Sequence, residues 1–220
     1  MMRGVLCLFA LVVGATTARA QDWQPLFNGK DLTGWRANND PSSFAVKDGV
    51  LRVQAAGPTP TTSAHLFYVG DRKDGFERFT NFELEFQARA EPNSNSGVFI
   101  HTDMTTSNAK KHLARGYEIQ LNSTDKEKRK TGSLYAVVDL DKSPVDETKW
   151  FAVRVVVKGK RITVALDGKQ VVDYTEPPDV VRPKERAGRL LAADGGAIAF
   201  QAHDVGSVWY LKDIRVKRLP

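Results

Sequence analysis

Cysteine is all but absent from this chain. The single one, Cys7, sits inside an apolar run near the N-terminus, so no disulfide can form within the chain. After residue 20 there is no apolar run long enough for a membrane-spanning helix, which needs about 20 residues. No stretch repeats its apolar residues at helical spacing, and there is neither a fixed-period repeat nor a low-complexity tract. A strong excess of one charge is missing as well. The 32 Lys and Arg against 26 Asp and Glu give a net charge of +6, too small an imbalance to point to nucleic acid as a partner.

What is present begins with a leader. Arg3 supplies a short positive start, residues 5–13 are apolar, and Ala18-Arg19-Ala20 has the small-x-small form of a cleavage site. Residues 1–20 are therefore expected to be a signal peptide cut after Ala20, and the protein to be secreted or periplasmic. Cys7 lies within the apolar run rather than after it, which argues against a lipid-anchored cysteine and against any membrane insertion after cleavage. The leader carries Arg3 and Arg19 and no acid, so the remainder has 30 basic and 26 acidic residues, a balance of +4. Residues 21–220 have the length of one domain. An exported chain that holds together without cysteine implies a sizeable core.

That remainder is written in period two. Phe82-Glu83-Leu84-Glu85-Phe86-Gln87-Ala88-Arg89-Ala90 alternates strictly, with Glu83, Glu85, Gln87 and Arg89 on one face. Charges of both signs there read as a solvated face. Gly116-Tyr117-Glu118-Ile119-Gln120-Leu121 places Tyr117, Ile119 and Leu121 on one side and Glu118 and Gln120 on the other. The same parity puts Phe99 with His101, opposite Val98 and Ile100, and puts Ala199, Gln201 and His203 opposite Ile198 and Phe200. Three strands thus offer an apolar face to a core and a second face bearing His, Glu or Gln. Further strands are expected at residues 43–46, 50–53, 65–69, 133–138, 150–157, 161–166, 170–174 and 208–217. Asp48-Gly49, Gly159 and Asp167-Gly168 mark the hairpin turns. About a dozen short strands without an amphipathic helix predict an all-β, two-sheet antiparallel jelly-roll sandwich. Residues 23–35 read as an N-terminal segment docking its aromatics on that sandwich, and residues 103–115 and 122–132 as polar rim loops.

One ordered set of motifs is specific. Leu26-Phe27-Asn28-Gly29-Lys30-Asp31-Leu32-Thr33-Gly34-Trp35 is followed by Val46-Lys47-Asp48-Gly49-Val50-Leu51, Asn95-Ser96-Gly97-Val98-Phe99-Ile100, Gly116-Tyr117-Glu118-Ile119-Gln120 and Thr131-Gly132-Ser133-Leu134-Tyr135. The set closes with Ala197-Ile198-Ala199-Phe200-Gln201-Ala202-His203 and Val208-Trp209-Tyr210-Leu211. Collinear over nearly all of residues 21–220, it resembles the 3-keto-disaccharide hydrolase family. That resemblance implies a concanavalin A-like fold and action on 3-keto-glycosides. Against the family pattern, His101 stands where an arginine is common and Asp204 where a glycine is.

The residues themselves disfavour an ordinary glycosidase. Cleaving an unactivated acetal takes two carboxylates roughly 5–9.5 Å apart, and the one same-strand pair, Glu83 and Glu85, reads as solvated. A 3-keto sugar, the substrate the resemblance implies, needs less. The carbonyl acidifies the C2 proton, one base removes it, the C1 substituent leaves, and water adds to the enone. Glu118, His203 and His101 are the candidate catalytic residues, with Glu118 or His203 as the base. Gln120 and Gln201 are candidate hydrogen-bond donors to substrate, and Tyr135 and Trp209 candidate stacking platforms for a sugar ring. A divalent cation is a possible partner in polarising the carbonyl, with no ligand spacing in the sequence to identify its site. His65 and His112 read as structural or loop-exposed. The alternative reading is a non-catalytic, lectin-like carbohydrate-binding module of the same fold. Sugar identity, linkage and oligomeric state are not encoded in any motif.

Overall fold

The computed structural model describes residues 22–56, 63–106 and 112–220. The expected leader, residues 1–20, lies outside the described residues, as do parts of the loops around residues 57–62 and 107–111. Thirteen strands and two short 3-10 turns make up the regular structure, with no α-helix among the described residues. The strands are β1 (Gln24–Pro25), β2 (Trp35–Ala37), β3 (Phe44–Lys47), β4 (Val50–Val53), β5 (Ala64–Tyr68), β6 (Phe82–Ala90), β7 (Asn95–Thr102), β8 (Tyr117–Asn122), β9 (Phe151–Lys158), β10 (Arg161–Leu166), β11 (Lys169–Thr175), β12 (Ala197–Ala202) and β13 (Trp209–Arg218). They form two antiparallel sheets. The larger runs β11-β10-β9-β6-β13-β4-β3, with β1 added to β13, and the smaller runs β2-β5-β12-β7-β8. This is the all-β sandwich expected from the alternation.

The core lies between the sheets and follows the period-two reading. From the larger sheet it takes Leu84, Phe86 and Ala88 of β6, Val153, Val155 and Val157 of β9, and Leu211 and Val216 of β13. From the smaller sheet it takes one cross-strand row, Leu66–Phe200–Val98–Ile119, in register over β5, β12, β7 and β8. Burying each such side chain contributes roughly 1.5–3 kcal/mol. The N-terminal segment docks as expected: β1 pairs with β13, and the buried Trp35 indole donates to the Leu26 carbonyl at 2.7 Å. At the first hairpin both turn residues, Asp48 and Gly49, have positive φ, 51° and 79°, the geometry a two-residue turn requires.

Two expectations are corrected. Residues 133–138 do not form a strand. They make a turn with isolated bridges, in which Leu134 N–H donates to Val138 O at 3.0 Å, Val138 N–H donates to Leu134 O at 2.9 Å and Ala136 has φ 59°, so the chain folds back on itself. Trp209 lies in the sandwich core at 0 % exposure, edge-to-face with Phe151 at 6.3 Å. It is a packing residue and offers no face to a sugar. Trp209→Ala should therefore lower stability by about 3–5 kcal/mol, read as a fall in the urea midpoint. A stacking role would instead leave the midpoint unchanged and weaken sugar binding.

Candidate functional site

The outer face of the smaller sheet is where the polar residues gather. Glu118, Phe99, Ala199 and Phe67 form one row across β8, β7, β12 and β5. In the next row Gln120 lies opposite Gly97 and Gln201 opposite His65. A small apolar cluster of Phe67, Val69, Phe99, Leu113, Ala197 and Ala199 seals part of this face. The rest opens into a pocket of about 270 Å³, whose lining includes Asn95, His112, Glu118, Gln120, Glu127, Tyr135, Arg186, Arg189, Gln201 and His203.

Glu118 sits at the base of this pocket, 8 % exposed. Its carboxylate lies over Gly97: a Cβ built at that glycine would come within 2.5 Å of Glu118 Oε1. Among the described residues the carboxylate accepts no hydrogen bond, and its ion partner is the buried guanidinium of Arg189, at 3.8 Å. Burial raises the Glu118 pKa, an effect that Arg189 and then His203 oppose. Arg189 is itself fixed over the Phe99 ring at 5.2 Å and donates to the Gly116 carbonyl at 3.4 Å. Gln120 donates its amide to Asn95 Oδ1 at 3.0 Å and keeps its own Oε1 buried without a partner among the described residues. Such an acceptor is costly to leave unmet.

His203 stands at the end of β12 with Nδ1 2.7 Å from Asp204 Oδ2. Asp204 is held in turn, accepting from Ser207 Oγ and Gly206 N, both at 3.0 Å. With Nδ1 engaged, Nε2 is the ring nitrogen left for the pocket. Across the mouth, Tyr135 lies between the guanidinium groups of Arg129 at 4.6 Å and Arg186 at 5.3 Å and donates to Glu127 Oε2 at 3.1 Å. Burial raises the Glu127 pKa, but the Arg129 N–H and the Tyr135 hydroxyl outweigh it and hold this second carboxyl below its usual range.

The pocket thus brings together Glu118, Gln120, Gln201, Tyr135 and His203 and leaves out His101 and Trp209. His101 is displaced by a bulge. Between the Ala199↔Phe99 and Ala197↔Thr102 pairs, β7 has two residues where β12 has one, and His101 takes φ 51°. The parity flips there. The ring turns inward, stacks on Phe82 at 6.1 Å and faces the Thr80 and Ala192 carbonyls at 2.8 and 3.2 Å. Conversely His65, read as structural, shares the outer face but is fully buried beneath the pocket floor, and burial pulls its pKa to about 3, so it stays neutral. His112 lines the pocket. Arg189 was not singled out by sequence, because residues 176–196 carry no periodicity to mark it. Among the described residues no three His, Cys, Asp or Glu side chains converge into a metal ligand set. Beside Glu118, Arg189 brings a positive charge to 3.8 Å. No helix of the described residues is long and apolar enough to cross a membrane.

Compared with known proteins, residues 22–217 match the family described as the 3-keto-alpha-glucoside-1,2-lyase-like domain. None of the curated proteins matches the chain. Among solved structures it is similar to a candidate glycosyl hydrolase of Parabacteroides distasonis ATCC 8503, with TM-score 0.70, 21 % identity and coverage of 90 % of this chain and 94 % of that one. It is also similar to the carbohydrate-binding module CBM66 of Bacillus subtilis, with TM-score 0.54, 13 % identity and coverage of 84 % and 96 %. The Ca²⁺- and Man3GlcNAc-bound lumenal domain of VIP36 gives TM-score 0.56, 11 % identity and coverage of 88 % and 87 %. Each likeness in structure is one of fold.

The raised Glu118 pKa sets a sign for stability. A carboxyl whose pKa is higher in the folded state than its ordinary 4.5 contributes stability that is present below that value and lost as pH rises through the folded one. Urea titrations of wild type and Glu118→Gln should show the wild type losing ground relative to the variant over that window. A difference that moves the other way would mean that Arg189 outweighs burial.

Proposed function

The chain belongs to the 3-keto-alpha-glucoside-1,2-lyase-like family, and we propose that it is an exported glycoside-cleaving enzyme that acts on 3-keto-glycosides by elimination and hydration. The observation that carries this reading is Glu118: a carboxylate buried in a pocket, free of hydrogen bonds among the described residues, with one guanidinium 3.8 Å away. Burial makes such a carboxylate a stronger base.

Glu118 takes the C2 proton of the bound 3-keto sugar. The C2–H electron pair becomes the enolate, and negative charge builds on the C3 oxygen, where Arg189 stabilises it. Collapse of the enolate forms the C1–C2 double bond and breaks the C1–O bond. His203 Nε2 delivers a proton to the departing oxygen, its ring oriented by Asp204 on Nδ1. In the second half His203 takes a proton from water as the oxygen adds to C1, and Glu118, its proton exchanged with solvent while the alcohol leaves and water enters, delivers a proton to C2. Atoms balance: glycoside and water give the 3-keto sugar and the free alcohol. Gln120 Oε1, Gln201 and Glu127 supply hydrogen-bonding groups for sugar hydroxyls, and Tyr135 closes the mouth. A pocket of about 270 Å³ suits one sugar residue with its leaving group toward the rim. Such a substrate requires only one base, and of the two other carboxyls that line the pocket Glu127 is committed to Tyr135 and Arg129 while Glu185 is exposed.

The test is a 3-keto-glucoside with a chromogenic leaving group beside its unoxidised counterpart. Release is expected from the keto sugar alone. Glu118→Gln should lower kcat by about 10²–10⁴-fold. Gly97→Ala should lower it less, by pushing the carboxylate aside, and Asp204→Asn should lower kcat with KM little changed. The rate is expected to persist in EDTA. A loss restored by a divalent cation would transfer the polarising role from Arg189 to that ion. Binding without release from either sugar would identify a carbohydrate-binding module instead.

A further inference from the structure

The outer face of the larger sheet carries two kinds of charge. Over most of it the ladder is neutralised across strands. Arg154 of β9 pairs with Glu83 and Glu85 of β6, Arg215 of β13 pairs with Glu85 at 2.6 Å, and Arg161 of β10 pairs with Asp173 of β11 at 2.5 Å. At one end the pattern breaks. Arg52 of β4, Tyr210 of β13 and Arg89 of β6 stand in register in a single row. Neither arginine has an acidic partner among the described residues, and the residues outside that set contain no Asp or Glu. Arg52 reaches only the Gln54 amide oxygen, and Arg89 keeps Nε buried and unpartnered. Arg89 lies over the Tyr210 ring at 4.4 Å, and Lys212 over the ring of the exposed Trp150 at 4.4 Å. Arg52, Arg89, Tyr210 and Trp150, together with Lys47 and Asp48, border an open cleft of about 390 Å³.

The same sheet places acids opposite arginines elsewhere, so the bare row is not a property of the fold. A guanidinium stacked on a ring keeps its N–H edge available for a carboxylate. We propose that this cleft binds an anionic saccharide chain, one carrying a carboxylate on each sugar, at a site separate from the pocket on the opposite sheet. The cation row is short and gives way to Glu83, Glu85 and Asp173 along the same face. A polyphosphate, which needs a continuous positive track, finds none. Widely spaced carboxylates beside a tryptophan and a tyrosine match the row's length and its aromatic walls.

Native gels containing polygalacturonate should retard the protein, and gels with the fully methyl-esterified polymer should not. The double variant Arg52→Gln/Arg89→Gln should bind at least roughly tenfold more weakly, as loss of charge-assisted hydrogen bonds implies, and Trp150→Ala should bind several-fold more weakly. All should keep the wild-type melting temperature and chromophore release from a small 3-keto-glucoside. Should the Arg89 change lower the melt, the exposed Arg52→Glu alone serves, with the same loss expected. Absence of retardation, retardation that survives these substitutions, or equal retardation by the esterified polymer or by duplex DNA would overturn the assignment. None of these outcomes depends on whether the pocket cleaves 3-keto sugars.

Discussion

Everything at the candidate site depends on one buried carboxylate and the arginine that makes its burial tolerable. An isolated carboxylate in a low-dielectric setting is strongly disfavoured. Glu118 is held there by three provisions. Gly97 leaves the space above its Cα empty, Phe99 stands directly across from Glu118 in the same row, and Arg189 brings a positive charge to 3.8 Å without donating a hydrogen bond. Had Arg189 come into full bidentate contact, the carboxylate would be a satisfied ion pair and a weak base. Had it been absent, nothing as close would oppose the upward push of burial on its pKa. The intermediate separation leaves a carboxyl whose pKa is raised yet whose charged form has a partner.

The sandwich supplies this arrangement by dividing its labour. The larger sheet gives a continuous core face and, outside, a ladder of ion pairs. The smaller sheet gives its inner face to the same core and is free to carry polar side chains on the other. Those side chains would be ordinary surface but for the connection before β12. That segment lays Arg189 over Phe99 and Arg186 over Tyr135, and so converts an exposed sheet face into a pocket. Its anchoring is polar and buried: Glu176 accepts from the Tyr117 hydroxyl and from Leu191 N–H, both at 2.7 Å, and pairs with Lys160 at 2.6 Å. The lid is thereby tied to the edge of both sheets.

Period-two alternation made the sandwich, the faces of β6, β8 and β12, and the placement of Glu118, Gln120 and Gln201 legible from sequence, because side-chain direction in a regular strand depends on parity alone. It failed where parity fails. His101 follows a bulge that inverts it. Residues 133–138 have a strand-like composition but turn at Ala136. Trp209 could be assigned to the core only once β13 was seen to pack between Val53 and Ala90. Arg189 and Glu127 come from irregular segments, where no period exists and burial is decided by tertiary contact. Asp204 stands out in the sequence as a departure from the family pattern, while its contact with His203 depends on side-chain geometry that the sequence does not carry.

The central claim is that bond cleavage begins at C2. The direct measurement is hydrogen exchange there during turnover: cleave a 3-keto-glucoside in D₂O and read the isotope at C2 of the released 3-keto sugar against an enzyme-free control. The account predicts deuterium at C2 with the wild type and none above control with Glu118→Gln. Release of the leaving group with the C2 proton retained would contradict it, and would mean displacement at C1 without an enolate.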